Sequence, residues 1–151
     1  MGKQSHGDLE ARDPAYQERV RGIFESAPFM ALIGAKMDAC GPGWCESHIV
    51  LRPEHLQQNG VVHAGVQSSL ADHTAGASVG TLVQPDQAVL TASFSVQLMR
   101  AAKGERLRCR AEVVKSGRTL STAQAYVYCG SEDAEEETSR LTATIAIVSA
   151  R

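Results

Sequence analysis

The sequence predicts an α+β fold in which an antiparallel sheet wraps around one long central helix. A proline-free run of small and apolar residues extends from about His63 to Val83, and its length fits a single helix. Four strand-like segments then follow one another with short connections, at residues 88–99, 106–114, 119–129 and 140–148. Two of them alternate apolar and polar residues strictly, which is typical of half-buried strands in an antiparallel meander.

The composition is that of a single soluble domain. The chain has 151 residues, of which 43% are apolar and 21% charged, enough for a full hydrophobic core. The net charge of −2 lacks the basic excess typical of nucleic-acid binding. No apolar run reaches the roughly 18 residues of a membrane span, and the polar N-terminus lacks the apolar segment of a signal peptide. We expect a cytoplasmic protein with a disordered arm at residues 1–12 and one domain at 13–151.

The first helix is predicted to open at Asp13 and Pro14, a favourable N-cap and N1 pair. Its apolar face comprises Tyr16, Val20, Ile23 and Phe24, and it ends near Ser26. The segment FMALIGAKMDA then leads into a turn at Gly41-Pro42-Gly43, and WCESHIVL has strand character.

Cys40 and Cys45 flank that turn and could face each other across a hairpin. A redox pair and half of a zinc site are the functional interpretations. The favoured interpretation is two small hydrophobic residues in a reducing cytosol, because the sequence contains no C-x-x-C motif.

The first strand of the meander is predicted to carry one apolar and one hydroxyl-rich face. The apolar face consists of Leu90, Ala92, Phe94, Val96 and Leu98, and the other face includes Thr91. The acidic segment SEDAEEET, residues 131–138, is predicted to be a solvated loop before the last strand.

Asp72 is an acidic residue in the middle of the most core-like segment, with no other acid between Glu54 and Asp86. A solitary buried carboxylate costs several kcal/mol unless it is paired or hydrogen-bonded. At about 100° per residue it shares a helix face with small side chains and one valine, namely Gly65, Ser68, Ser69, Gly76 and Val79. The pattern predicts a cleft or a closely packed neighbour, with a structural pair to arginine or a hydroxyl as the alternative.

The N-terminus of the same helix offers backbone amides at Ala64 and Gly65 that can hold a developing oxyanion. Ala64 and Asp72 lie about 12 Å apart along one helix, whereas a reacting carbon must approach both groups to about 3 Å. Two antiparallel copies of the helix can meet this requirement. The site hypothesis therefore predicts a homodimer.

These residues resemble the hotdog-fold acyl-CoA thioesterases of the phenylacetate-pathway (PaaI) type. The resemblance covers about residues 33–148 and centres on Gln57, on the run Gly60-Val61-Val62-His63-Ala64-Gly65 and on Leu70-Ala71-Asp72. A hydroxyl residue of the family's later strand falls on Thr91. Two positions depart from the family pattern: Ala64 replaces a glycine, and Gln57 replaces the commoner asparagine.

The resemblance implies hydrolysis of an acyl-CoA by Asp72, acting as nucleophile or as general base on water. The Ala64 amide, with Gly65, would polarise the thioester carbonyl, and Gln57 would orient the carbonyl or the water. Thr91 would hydrogen-bond near Asp72, which requires a bulge or an interface position because alternation places it opposite the apolar face. His63 would fix the loop, with general acid as the alternative.

Coenzyme A enters as part of the substrate, and no separate cofactor is expected. Its phosphates could meet Arg118 with Arg100 or Lys103, for which solvated surface charge is an equal alternative. His73 is interpreted as a core histidine, and the spacing of the histidines does not favour a metal site. The expected assembly is a homodimer or a tetramer of two dimers, with no nucleic-acid or membrane partner.

Two other functions fit the same fold. Hydratases and dehydratases of hydroxyacyl thioesters pair a histidine with an acid across the interface, as His63 and Asp72 could. A non-catalytic acyl-CoA-binding module would keep the pocket but tolerate loss of the acid. The spacing of His63-Ala64-Gly65 and Asp72 favours hydrolysis, and a domain that serves packing alone leaves Asp72 unexplained.

Overall fold

The computed structural model describes residues 9–151, which form a six-stranded antiparallel sheet and three α-helices. In chain order the elements are α1 (Tyr16–Ser26), α2 (Pro28–Ile33), β1 (Ala35–Gly41), β2 (Trp44–Val50), a 3-10 turn (Pro53–His55), α3 (Ala64–Gly80), β3 (Gln87–Leu98), β4 (Arg106–Lys115), β5 (Leu120–Gly130) and β6 (Glu135–Ser149). The strand order is β1-β2-β4-β5-β6-β3. Among the described residues, no helix is both long and apolar enough to cross a bilayer. The predicted wrapping of a sheet around one long helix is confirmed.

The predicted alternation is confirmed for β4, and β5 and the middle of β6 also alternate; the inward residues of these three strands are buried against α3. These residues are Leu107, Cys109, Ala111, Val113, Ala123, Ala125, Val127, Leu141, Ala143 and Ile145. The central helix also lies where it was predicted, beginning one residue after His63 and ending at Gly80.

The first helix begins two residues later than predicted, at Tyr16, and ends at Ser26 as predicted. Asp13 still stabilises its start, since Oδ1 accepts the Ala15 N–H at 2.9 Å and Oδ2 accepts from Arg19 Nε at 2.7 Å. Arg19 also donates to the carbonyl oxygens of Gly80 and Val83, which ties α1 to the end of α3. Of the predicted disordered arm, residues 1–8 lie outside the described residues, and Leu9 packs against the core.

The segment predicted only to lead into a turn contains a helix and a strand. The short helix α2 ends at Gly34, which adopts φ +75° and donates its N–H to the carbonyls of Met30 and Ala31. That left-handed conformation suits glycine, and it redirects the chain into β1.

The predicted acidic loop was too long, because β6 already begins at Glu135. Glu135 lies on the outer face of the sheet, where its carboxylate accepts from Arg108 Nε at 2.7 Å. Pairing with an arginine of the same sheet face, across β5, lets Glu135 occupy a strand position despite the low strand propensity of glutamate.

The predicted apolar face of β3 was wrong at its N-terminal end, because the register with β6 shifts between Thr91 and Ser93. Directly paired residues point to the same side of a sheet. Phe94 pairs with Ala143 and Thr91 with Ile145, both of which are fully buried on the helix side. The bulge therefore turns Thr91 toward α3, and Leu90 lies on the outer face with 62% of its surface exposed.

The sheet-facing side of α3 carries polar as well as apolar residues. Leu70, Ala71 and Ala75 are buried there together with Gln67, Thr74 and Ser78. Thr74 shares a 2.6 Å hydrogen bond with Ser47 of β2, and Gln67 accepts from Thr138 of β6 at 2.9 Å. Val79, predicted to share the Asp72 face, is instead buried in the core.

The two edges of the sheet differ. At β1, side chains of α1 cover the backbone: Arg21 donates to the carbonyls of Met37 and Asp38, and Gln17 donates to that of Cys40. At β3, no side chain of residues 9–151 bonds to the backbone of residues 88–98. An uncovered edge along nearly the whole of this 12-residue strand is a template for pairing with another chain.

Candidate active site

Asp72 and Thr91 meet where the middle of α3 crosses β3. Thr91 Oγ1 donates to Asp72 Oδ1 at 2.7 Å, and Asp72 is only partly buried. In residues 9–151 no arginine or lysine forms a salt bridge with Asp72, so the structural alternative of an Asp–Arg pair is absent there. The hydroxyl contact occupies Oδ1, no described side chain bonds to Oδ2, and Asp72 lines the groove beside it.

The backbone amides predicted as oxyanion donors have different partners. His63 is the N-cap of α3, and its Nδ1 accepts the Gly65 N–H at 2.8 Å. The N–H groups of Val66 and Gln67 are donated to the His63 carbonyl. Among the described residues, the Ala64 N–H has no acceptor, and Ala64 is exposed. A single amide at the positive end of the helix dipole is therefore available to a ligand.

Gln57 lies in the loop that leads into α3. Its backbone N–H is donated to Val61 O at 2.8 Å, and its side-chain carbonyl accepts from the Asn59 N–H. The contact with Asn59 holds the Gln57 side chain by its oxygen, so its NH₂ group remains available to donate to a ligand.

His55 anchors the same loop, and sequence reasoning missed this role. It is 2% exposed, its Nε2 donates to Ile33 O at 2.8 Å, and its Nδ1 accepts the Arg52 N–H at 2.9 Å. The His55 carbonyl accepts from the His63 N–H at 2.9 Å, which places the start of α3. The only sequence signal is its position in the turn that follows Pro53.

Within one chain the predicted residues form two groups. Asp72 and Thr91 are in contact in the middle of α3. Gln57, His63, Ala64 and Gly65 lie together at its N-terminus. Eight residues separate Ala64 from Asp72 along α3, which is about 12 Å at the helical rise. A single chain cannot bring both groups to one carbonyl.

A groove of about 200 Å³ extends from Asp72 between α1, α3 and the start of β3. It is largely apolar, and its lining includes Val20, Ile23, Phe24, Gly76, Ala77 and Val89. A Cβ built on Gly76 would meet no atom within 4 Å, so the missing side chain leaves open space one turn after Asp72. Typical pockets for drug-sized ligands measure roughly 300–1,000 Å³, so this groove suits a compact group.

His73 forms one side of the groove as a neutral ring. Its Nε2 donates to Phe24 O at 3.1 Å, and its ring lies 4.5 Å from that of Phe24. Burial lowers the pKa of His73, against the opposing effects of the Phe24 carbonyl and Asp72.

The basic residues considered for coenzyme A lie at opposite ends of the sheet. Arg100 and Lys103 belong to the exposed β3–β4 connection, where Ala102 O accepts the Val62 N–H beside the start of α3. Arg118 lies in the exposed β4–β5 turn, at the end of the sheet near the C-terminus of α3. Arg100 is 3.8 Å from Glu136. One chain does not gather the three cations.

Within residues 9–151, no group of three or more histidine, cysteine, aspartate or glutamate side chains is placed to hold a metal ion.

Comparisons with known proteins identify the family and the fold. A family model described as the thioesterase superfamily matches residues 59–135, which include the start of α3, Asp72 and Thr91. No curated protein sequence matches the chain. A crystal structure of a thioesterase family protein from Silicibacter pomeroyi is similar at 37% identity and a TM-score of 0.86, over 89% of this chain and 99% of that one.

Two more distant structures share the fold. A thioesterase from Haemophilus influenzae is 17% identical with a TM-score of 0.81, over 92% of this chain and 94% of that one. A mutant thioesterase from Pseudomonas aeruginosa is 15% identical with a TM-score of 0.79, over 93% and 99% respectively. The hotdog fold implied by the sequence resemblance is confirmed by these likenesses.

Proposed function

The chain belongs to the thioesterase superfamily, and on that premise we propose that it hydrolyses an acyl-CoA thioester to the free acid and coenzyme A. The observation that carries the proposal is the position of Asp72. Its carboxylate is held by Thr91, is free of cationic partners among the described residues, and opens onto an apolar groove. We assign the chain to the phenylacetate-pathway type of these enzymes on the motif from Gln57 to Asp72.

Asp72 acts as the catalytic carboxylate. In one form of the reaction it takes a proton from water while the water oxygen attacks the thioester carbon. In the other form its free oxygen attacks that carbon directly, and water then hydrolyses the resulting anhydride. In both, the C–S bond breaks and the thiolate of coenzyme A leaves. Thr91 holds one carboxylate oxygen so that the other faces the carbonyl.

The Ala64 N–H of the partner subunit supplies the oxyanion hole. The distance along α3 prevents a chain from using its own Ala64 with its own Asp72. A two-fold axis that sets two copies of α3 antiparallel brings the partner's Ala64 to the Asp72 carboxylate. The partly exposed small residues Ser68 and Ser69 on that side of α3 allow a close approach.

The bare edge of β3 is the proposed dimer contact. β3 is a sheet edge without side-chain cover in the described part of the chain, whereas α1 covers the edge at β1. Phe94 and Leu98 lie on or beside the helix side of β3 with 47% and 50% of their surfaces exposed. Pairing of β3 with its copy would bury both and lay the two α3 helices side by side.

The substrate then spans the interface. The acyl group lies in the groove beside Asp72, and the phosphates of coenzyme A extend toward Arg100 and Lys103 at the start of α3. A two-fold axis reverses the ends of the sheet, so the partner's Arg118 is placed on the same side as these cations. Gln57 presents its NH₂ group to the carbonyl or to the attacking water.

The primary test measures thiol release from a panel of aromatic and aliphatic acyl-CoAs by the wild type and by Asp72→Asn. The wild type is expected to hydrolyse some members, and the folded variant to lose at least about 100-fold in kcat, as removal of a catalytic group typically does. Absence of hydrolysis by the wild type would overturn the proposal and favour acyl-CoA binding or hydration.

A subunit-mixing experiment tests the shared site. Ala64→Pro removes the proposed N–H donor, and proline is well tolerated at N1 of a helix; the extended ψ of 137° at His63 suits a residue before proline. Mixed dimers of Ala64→Pro with Asp72→Asn contain one intact site. Random pairing should restore about one quarter of wild-type activity from two inactive parents. Failure of mixed dimers to regain activity would contradict sharing of the site between chains.

A further inference from the structure

Cys40 and Cys45 face each other across the hairpin formed by β1 and β2. The two-residue turn Pro42-Gly43 connects Gly41 and Trp44, which form the first pair of the hairpin, and Cys40 and Cys45 form the next pair. A two-residue hairpin closes on a hydrogen-bonded pair, so the following pair is of the non-hydrogen-bonded kind. In such pairs the Cα atoms are about 4.5 Å apart, within the roughly 4.4–6.8 Å that a disulfide accepts.

The two cysteines are direct cross-strand partners, so their side chains lie on the same side of the hairpin, and both thiols are free in this structure. Cys45 is fully buried, whereas Cys40 retains 8% of its surface and borders a surface depression lined by Gln17, Glu18, Arg21, Asp38 and Ala39. A small reagent can therefore reach Cys40 first, and Cys45 stands directly behind it.

Arg21 and Cys45 favour the thiolate of Cys40. A hydrogen bond from the Cys45 thiol, together with the charge of Arg21, lowers the pKa of Cys40 to about 7 despite its partial burial. Loss of a second proton beside that thiolate is unfavourable, so the pKa of Cys45 is raised. The guanidinium of Arg21 is fixed over β1 by its bond of 2.6 Å to Met37 O. Thiolate character and access are the two conditions for oxidation of a cysteine.

Cys109 and Cys129 lack this arrangement. Cys109 is fully buried opposite Val127, and burial raises its pKa to about 12. Cys129 lies opposite Leu107, and burial raises its pKa as well. Neither has a cysteine as cross-strand partner, so Cys109 and Cys129 serve as internal controls for the reactivity of Cys40 and Cys45.

We propose that Cys40 and Cys45 form a peroxide-oxidisable dithiol, a modification site separate from the carboxylate groove. The Cys40 thiolate attacks a hydroperoxide, the O–O bond breaks, and Cys40 becomes a sulfenic acid while the alcohol or water leaves. The Cys45 sulfur then attacks the Cys40 sulfur, and water leaves as the disulfide forms. Two electrons pass from the dithiol to the peroxide.

The disulfide would close a loop of only a few residues within a hairpin that is already formed. A short loop gives little entropic stabilisation, so thiol reductants should reopen the bond readily. The proposed modification is therefore reversible.

The test treats the native protein with hydrogen peroxide, blocks remaining thiols by alkylation, and maps the peptides by mass spectrometry. We expect a Cys40–Cys45 disulfide with loss of two hydrogen atoms, reversed by dithiothreitol, while Cys109 and Cys129 remain alkylatable after unfolding. In Cys45→Ala, a dimedone adduct should accumulate on Cys40. In Cys40→Ser, peroxide should leave Cys45 unchanged.

The wild-type mapping alone decides the outcome if a variant fails to fold. Oxidation of Cys40 to sulfinic acid without a disulfide, or unchanged thiols under peroxide that oxidises free glutathione completely, would overturn the proposal. Disulfides that involve Cys109 or Cys129 at the same rate would do so as well.

Discussion

Thr91 Oγ1 donates to Asp72 Oδ1 at 2.7 Å, although the two residues are 19 positions apart and belong to different elements. The contact exists because a bulge in β3 turns Thr91 toward α3. Without the bulge, strict alternation would direct the hydroxyl to the outer face of the sheet. The position of the candidate catalytic carboxylate thus depends on an irregularity in a neighbouring strand.

Replacement of Thr91 by valine is expected to lower kcat by about 10- to 100-fold, since a hydrogen bond to a charged group is worth about 1.5–3 kcal/mol. Valine keeps the shape of threonine but cannot donate. Thr91→Ser restores the hydroxyl and should retain most of the activity. The measurement is steady-state thiol release, with thermal unfolding as the check on folding. Equal activity of the valine and serine variants would show that the hydrogen bond is not used.

Substitution of Gly76 by leucine is expected to narrow the groove and to change which acyl groups are accepted. A Cβ at this position meets open space, so the fold should tolerate the larger side chain. Relative kcat/KM should fall for bulky acyl-CoAs and remain near the wild-type value for acetyl-CoA or the shortest accepted substrate.

Gly76→Ala is the matched control for that variant. It should raise the free energy of unfolding by about 0.5–1 kcal/mol, because glycine is unfavourable in a helix interior. Size-exclusion chromatography verifies that both variants keep the assembly of the wild type. An unchanged acyl preference in a folded Gly76→Leu enzyme would place the acyl group elsewhere.

His73 should make the protein less stable as the pH falls below about 7. Its folded-state pKa is lowered, so the unfolded chain, with a pKa of about 6.5, binds the proton first. The free energy of unfolding therefore decreases as the pH falls from just above the unfolded-state pKa of His73 to its folded-state pKa. Below the folded-state pKa, the contribution of His73 no longer changes with pH. Denaturant unfolding at pH 7 and pH 5 should give a smaller difference in the free energy of unfolding for His73→Gln than for the wild type. If the two proteins show the same difference between these pH values, His73 is not the cause of the pH dependence.

Phe94→Glu is expected to separate the dimer into monomers and to abolish hydrolysis, because the charge would have to be buried between two β3 strands. Val114→Glu is a suitable control, since Val114 on β4 has similar exposure, 49% against 47%, and is not on the β3 edge. Analytical ultracentrifugation and thiol release are measured on the same samples. A monomeric Phe94→Glu protein with full activity would contradict a site built from two chains.

Much of the architecture follows from local patterns. The long helix was predictable from a run of residues without proline, and β4 from its alternation, because in each case the pattern reports one buried face. The motif from Gln57 to Asp72 likewise indicated both ends of the candidate site, which the rise of a single helix keeps about 12 Å apart within one chain.

The missed features depend on contacts between distant residues. The bulge at Thr91 is defined by its pairing with β6, and the early start of β6 depends on Arg108 across the sheet. The polar residues on the sheet side of α3 were missed for the same reason, since the buried Thr74 hydroxyl is satisfied by Ser47 of β2 as well as by the Leu70 carbonyl. Sequence periodicity reports average burial and contains no information about such individual partners.

Those polar residues determine the rotational setting of α3. A helix of small side chains without a strong apolar face has little to prevent it from turning about its own axis. Contacts of Thr74 with Ser47, Gln67 with Thr138 and Thr81 with the Gly43 N–H are satisfied at one angle only. A turn by one residue, about 100°, would break all three and direct Asp72 away from Thr91. The direction in which the Asp72 carboxylate points is therefore determined by hydrogen bonds on the opposite side of the helix.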